Sequence, residues 1–231
     1  MTESETIVNW ARNQIGVAEN PKGSNNVIYN TLYYGRAVSG DTYAWCMVFV
    51  WCAFDQNCLK RLFYNGGKTA SCTTLMKWAK SNGLFYDSDF KVGDIVFYDW
   101  DGDPSAEHTG IIVEAYSDDN LRVVEGNCSD MVKLTTPKRS TILGVFRPQY
   151  GGKEETTCEP TMPILKRGSK GVPVWSLQKL LVKKGYSVGR WGCDGDFGAD
   201  TESAVKRFQT DKKITADGIC GSITWTELYG G

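Results

Sequence analysis

A single histidine, His108, and eight cysteines bound the covalent chemistry open to this 231-residue chain. Near neutral pH an imidazole is the natural general base, so any cysteine-dependent hydrolysis would centre on His108. Its setting, Glu107-His108-Thr109-Gly110-Ile111, is the start of a predicted strand, from which a ring can point across a groove. Among the cysteines, Cys46 follows Trp45 and opens a strongly apolar predicted helix, whereas Cys52 and Cys58 lie within or beyond it. A thiol in a first helical turn faces the positive end of the helix dipole and backbone N–H groups that lack helical partners. Both favour the thiolate, which is the attacking species, and the same N–H groups can receive an oxyanion. Cys52 is six residues further, about 240° round the helix, and cannot share that groove. A catalytic imidazole also needs an orienter for its second nitrogen. Glu125 and Asn127 end the strand after that of His108, and alternation puts both side chains on one face.

These groups are positioned by elements that the sequence pattern predicts. Ser4 to Ile15 has Ile7, Val8, Ala11 and Ile15 at helical spacing, with Ser4 as its cap. Asp41 to Phe54 reads as a short turn feeding the Cys46 helix, and Thr73 to Asn82 as a helix ended by Gly83. Four short β-branched or aromatic runs follow: 94–98, 109–113, 121–124 and 142–146, separated by turn residues. They predict an antiparallel sheet, and helices followed by strands mean α+β rather than alternating α/β.

A composition shift over Arg147–Pro163, with three prolines and a Gly-Gly, reads as a linker. The expected organisation is a first domain over 1–148, a linker over 149–162 and a small all-α domain over 163–231. The last contains an internal echo. Residues 194–201 and 217–224 share the pattern D-G-x-x-G-x-x-T, each followed by helix-like sequence, with the Thr expected as a helix cap. Val174 to Lys184 is a further predicted helix. No acid/base pair there demands catalysis, so it reads as a recognition module, in which Trp175, Tyr186, Trp191 and Trp225 are candidates for stacking on sugars or for the helical core.

Net charge is −1, without the basic excess of a nucleic-acid-binding surface. The longest apolar run, Ala44–Phe54, is too short to enter and cross a membrane. The polar, acidic Met1–Thr6 is not the start of a secretory leader, so synthesis in the cytoplasm is expected. No C-x-x-C occurs, which disfavours structural zinc. Reduced, buried cysteines are expected, with the pairing of Cys158, Cys193 and Cys220 left open. Asp99-Trp-Asp-Gly-Asp103 spaces three carboxylates like the start of a calcium loop, which makes Asp99, Asp101 and Asp103 a candidate Ca²⁺ site. Pro104 and Gly110 stand where such a loop needs Gly and Glu, and an acidic solvated turn is the alternative.

The segments Tyr43-Ala-Trp-Cys-Met-Val-Phe-Val50, Gly93-Asp-Ile-Val-Phe97, His108-Thr-Gly-Ile-Ile-Val113 and Val124-Glu-Gly-Asn127 closely resemble a CHAP domain, a cysteine, histidine-dependent amidohydrolase/peptidase of papain-like α+β fold. The resemblance spans roughly residues 4–148 and implies catalysis by Cys46, His108, Glu125 and Asn127, with no required cofactor. Tyr43 and Trp45 flank Cys46 and are candidates for lining the substrate groove, with core packing the alternative for Trp45. The calcium loop that some CHAP domains carry before the cysteine has only Asp41 here. Leu165-Lys-Arg-Gly-Ser-Lys-Gly171, Leu177-Gln178, the two repeated turns and Ala204-Val-Lys-Arg-Phe-Gln209 resemble a peptidoglycan-binding domain of three helices. Together they imply a phage or prophage endolysin. It would cleave an amide bond of the stem peptide or cross-bridge in the wall of a Gram-positive host, reaching that wall after holin-type release. A catalytically silent wall-binding protein, or a secreted autolysin-type peptidase, is the alternative.

Overall fold

The computed structural model describes residues 1–151 and 162–229. The chain divides into two compact units, Met1–Ala18 with Asp41–Cys158, and Glu19–Gly40 with Glu159–Gly231.

The first unit is α+β. Helix α1 (Glu3–Asn13) begins two residues earlier than Ser4 as cap would place it. Its cap is Thr2, which accepts the Glu5 N–H while the Glu5 side chain accepts the Thr2 N–H, a reciprocal capping box. Outside this unit's core lies α2 (Ile28–Tyr34), which belongs to the second unit. Helix α3 (Cys46–Asp55) is preceded by a 3-10 turn over Asp41–Tyr43, and all ten of its residues are buried. A helix apolar all round belongs in a core, and α3 packs on the central strand of the sheet. Helix α4 (Cys72–Ser81) is capped by Ser71, which accepts the Thr74 N–H at 3.2 Å.

Six strands form the sheet: β1 (Phe85–Tyr86), β2 (Ile95–Tyr98), β3 (His108–Ser117), β4 (Asn120–Glu125), β5 (Lys133–Thr135) and β6 (Ile142–Phe146). Their order is β1-β6-β2-β3-β4-β5, antiparallel throughout. Residues 108–113 of β3 are all buried, so this part of the strand is covered on both faces. One face carries the core cluster of Phe90, Val96, Tyr98, Ile112, Leu121, Val123, Ile142 and Val145. Buried Asp94, just before β2, is held by a two-point ion pair from Arg147 (3.0 and 2.8 Å) and by the Lys91 N–H at 2.9 Å.

In the second unit α5 (Val172–Lys183), α6 (Ala199–Asp211) and α7 (Ser222–Tyr229) are the three expected helices. The repeated pattern has a specific structural cause. Buried Gln178 donates to Asp194 Oδ1, the Asp196 carbonyl and Thr201 Oγ1, and accepts the Gly195 N–H. Gln209 does the same to Asp217, the Ile219 carbonyl, Thr224 and Gly218. Each glutamine thereby satisfies one turn. Thr201 and Thr224 consequently do not cap: α6 starts after Gly198, and both threonines sit in the third position of their helices. Among the described residues no helix is long and apolar enough to cross a membrane.

Candidate active site

Strand register builds the site. Tyr98 on β2 lies opposite His108 on β3, and Ile111 opposite Val124 sets Gly110 beside Glu125. A Cβ on Gly110 would stand 2.7 Å from the Glu125 side chain, so only glycine leaves room for the carboxylate to pass and reach the residue two positions back. That residue is His108, whose Nε2 lies 3.2 Å from Glu125 Oε2, both side chains being more than nine-tenths buried. The other carboxylate oxygen accepts the Tyr98 hydroxyl at 2.9 Å and the Thr135 hydroxyl at 2.5 Å. With Nε2 committed to Glu125, Nδ1 is left for sulfur.

The sulfur is that of Cys46, the first residue of α3. Hydrogen bonds from Cys72, then from His108 and the Met47 N–H, together with the imidazolium charge, pull its thiol well below the ordinary range against the opposing cost of burial. Burial pulls His108 down, but the partnership with Cys46 and Glu125 outweighs it and lifts the ring to about 9. Glu125 is lowered despite its burial, by His108, Thr135 and Tyr98. The three directions agree with a Cys46 thiolate paired with a His108 imidazolium and steadied by an ionised Glu125. Such an assembly carries out nucleophilic attack on a carbonyl and protonation of the leaving group.

The remaining expected residues separate. Strand β4 stops at Glu125, Gly126 is wedged against Phe49 and Trp45, and Asn127 adopts a left-handed backbone (φ 57°), so alternation does not carry through. No hydrogen bond joins Asn127 to His108 or Glu125 among the described residues, and the shared face expected for Glu125 and Asn127 is not realised. Trp45 is fully buried and packs in the core instead of lining the groove, while Tyr43 is half-buried on the turn before α3. In the acidic loop, carboxylate oxygens of Asp99, Asp101 and Glu107 lie within 4.8 Å of one another, and Asp103 is not in that group. These carboxylates already accept backbone N–H groups: Asp99 from Asp101 and Gly102, Asp101 from Asp103, Glu107 from Trp100. Asp103 accepts both the N–H and the hydroxyl of Ser105. The aspartate contacts are Asx turns, which organise the acidic loop.

Four residues escaped the sequence reading. Tyr98 and Thr135 hold Glu125, and Trp100, largely exposed, stacks on the His108 ring with centroids 5.4 Å apart. The fourth is Cys72, with its sulfur 3.7 Å from that of Cys46. The aromatic after β2 had a legible signal in Tyr98-Asp-Trp100, adjacent to the histidine strand; Cys72 and Thr135 had none, because only tertiary packing brings them here. None of the seven cysteines among the described residues forms a disulfide, Cys193 and Cys220 included, and Cys158 lies outside those residues.

In the second unit the first repeated turn borders a groove of about 410 Å³ lined by Val188, Trp191, Asp194, Asp196, Asp200 and Thr201. Trp191 is 71% exposed there, whereas Trp225 is wholly buried in the helical core. Of the four aromatics considered for sugar stacking, Trp191 is thus the open one.

Comparison with known proteins agrees with both halves. Residues 38–127 match the CHAP domain family, and residues 170–228 match the peptidoglycan binding domain family. The chain therefore joins a CHAP domain to a peptidoglycan-binding domain. An N-acetylmuramoyl-L-alanine amidase, CwlL of Bacillus licheniformis, is 42% identical over 99 residues, covering 42% of this chain and 28% of the relative. The zinc D-Ala-D-Ala carboxypeptidase of Streptomyces albus G is 37% identical over 72 residues, 31% of this chain and 28% of the relative. The chain thus spans less than a third of the length of these relatives. Among solved structures, the SleB N-terminal domain is 31% identical over 30% of this chain and 93% of its own, with a TM-score of 0.29. A Burkholderia AP3 phage endolysin is 35% identical over 29% of this chain and 24% of its own, with a TM-score of 0.27.

Proposed function

We propose that the protein is a peptidoglycan hydrolase that cleaves an amide bond of the wall's stem peptide or cross-bridge. The observation that carries this reading is the Cys46–His108–Glu125 assembly standing in the same chain as a peptidoglycan-binding domain. The Cys46 thiolate attacks the carbonyl carbon. The Met47 N–H and the N-terminus of α3 face the oxyanion that develops. As the tetrahedral intermediate collapses, the His108 imidazolium protonates the departing amine and leaves an acyl-thioester on Cys46. The now neutral imidazole takes a proton from water, hydroxide adds to the thioester, and Cys46 leaves as thiolate while the acid product departs. Glu125 keeps the ring in the tautomer that presents Nδ1 to sulfur and balances its charge.

The match to named amidases supports the muramoyl–L-alanine bond. The same machinery serves a peptide bond within the stem or cross-bridge, and a Gram-positive wall, whose peptidoglycan is exposed, is the fitting substrate. Trp191, open beside the first repeated turn, supplies a flat apolar face for a sugar ring in wall binding. The acidic loop around Asp99, Asp101 and Glu107 is a structural turn in this scheme, and a Ca²⁺ ion there would brace the loop that carries Trp100.

The reading is tested with purified walls. Wild-type protein clears a wall suspension, and Cys46→Ala and His108→Ala abolish clearing by at least ~10³-fold while still co-sedimenting with walls. Co-sedimentation without clearing by the wild type would instead identify a silent wall-binding protein.

A further inference from the structure

The second cysteine at the site is held there by the same fastening that places the histidine. Cys72 is the first residue of α4, behind the Ser71 cap. At that turn Thr73 Oγ1 donates to the Ala106 carbonyl at 3.1 Å and accepts the Ala106 N–H at 3.0 Å. Ala106 lies two residues before His108, so the first turn of α4 and the start of β3 move as one piece. Cys72 is 6% exposed and Cys46 7%, so neither sulfur is solvated in place of the other contact. Their separation of 3.7 Å is that of an S–H···S hydrogen bond. A thiolate has no proton to give, so with Cys46 ionised the donor is Cys72.

We propose that Cys72 is a positioning residue for the nucleophile: its S–H donates to the Cys46 thiolate and fixes the sulfur's direction. The proposal rests on the reading of Cys46 as nucleophile. It gives the thiolate two donors of different kinds. His108 surrenders its proton to the leaving amine and regains one from water before Cys46 leaves the second tetrahedral intermediate. Cys72 loses no proton in the cycle, so its donation to negative sulfur is the same at attack and at departure. The direction of both titrations agrees with this assignment. Cys72 is the largest influence lowering Cys46, and its own thiol is raised well above the ordinary range by donating to Cys46 and by burial. Cys72 therefore stays protonated over the range in which Cys46 is ionised.

The test measures ionisation directly, on the full chain and without a wall. Iodoacetamide labelling across pH, read by mass spectrometry of the peptides containing Cys46 and Cys72, gives a midpoint for each thiol. In Cys72→Ala the Cys46 midpoint rises by at least about one pH unit, and labelling on the acid limb slows about tenfold. In Cys72→Ser, where a hydroxyl can donate, it returns toward wild type. In Cys46→Ala the Cys72 midpoint falls, a reciprocal effect that does not depend on any Cys72 variant folding. In wall assays the acid limb of the kcat/KM profile moves to higher pH in Cys72→Ala, in step with the labelling midpoint. An unmoved Cys46 midpoint in a folded Cys72→Ala, equal midpoints for the Ala and Ser variants, or an unmoved Cys72 midpoint in Cys46→Ala would each overturn the proposal. If walls are cleaved and the midpoints do not move, this assignment falls alone. If the midpoints move as stated and no wall is cleaved, the hydrolase reading falls and this assignment stands.

Discussion

At the scale of single residues, the site is a set of three ionisable groups whose environments push them in opposite directions. Cys46 is lowered, His108 raised to about 9 and Glu125 lowered. The active form has Cys46 deprotonated and His108 protonated. Its population rises with pH as Cys46 ionises, below the usual thiol range, and falls as the imidazolium loses its proton. The pH profile of kcat/KM for wall cleavage should therefore show an alkaline fall near pH 9. Removing the Glu125 charge removes an influence that raises His108, so Glu125→Gln moves that alkaline limb to lower pH. It also lowers activity through loss of ring orientation. A limb that stays near 9 in Glu125→Gln would deny the pairing. Tyr98→Phe deletes one of two hydroxyls holding Glu125, about 1 kcal/mol, and a several-fold loss in kcat/KM with unchanged wall binding is expected.

At the scale of elements, a close approach at Gly126 holds the nucleophile's helix against the base's strands. A Cβ on Gly126 would stand 2.5 Å from Phe49 Cβ and 3.0 Å from the Trp45 ring, so the β4 end cannot approach α3 with any side chain there. Gly126→Ala should cost about 1–3 kcal/mol through overpacking and separate Glu125 from the Cys46 side of the site, read as a lower melting temperature together with a loss of lysis. Arg147→Met leaves the buried Asp94 carboxylate without its counter-charge and should destabilise the chain by about 3–5 kcal/mol, seen as a shift of the denaturation midpoint. What was legible in the sequence follows the same logic. The Cys46 helix, the His108 strand and Glu125 could be read because each announces itself locally, by an apolar run, by β-branched alternation, or by a carboxylate at a strand end. Helix α2, β1 and β5 could not, since two to seven residues carry no period of their own. For Trp45 the choice between groove and core stays open in the sequence, because adjacency to Cys46 does not reveal that the helix cap is turned inward. Asn127 was grouped with Glu125 because alternation was extended two residues past the end of β4. Cys72, Tyr98 and Thr135 joined the site through pairing and packing that no local pattern encodes.

At the scale of the molecule, the two units divide the work, one holding the ionised sulfur and the other two copies of a glutamine-closed turn. Both copies depend on a buried amide with four polar partners, so Gln178→Ala strands several of them at once. It should weaken wall co-sedimentation while leaving Cys46 labelling by iodoacetamide unchanged. Chelation provides a further separation of roles. Every step proposed for the reaction is made by side chains of the CHAP domain, so EDTA treatment should leave the rate of wall clearing unaltered. A loss restored by Ca²⁺ would assign the ion to Asp99, Asp101 and Glu107.

The central claim is that Cys46 hydrolyses an amide of the wall peptide. Mass spectrometry of the muropeptides released from purified walls addresses it most directly. The account predicts paired products, one with a new free amine and one with a new carboxyl, formed by the wild type and absent with Cys46→Ala. Fragments carrying new sugar ends in place of new amines, or the same products from Cys46→Ala, would contradict it.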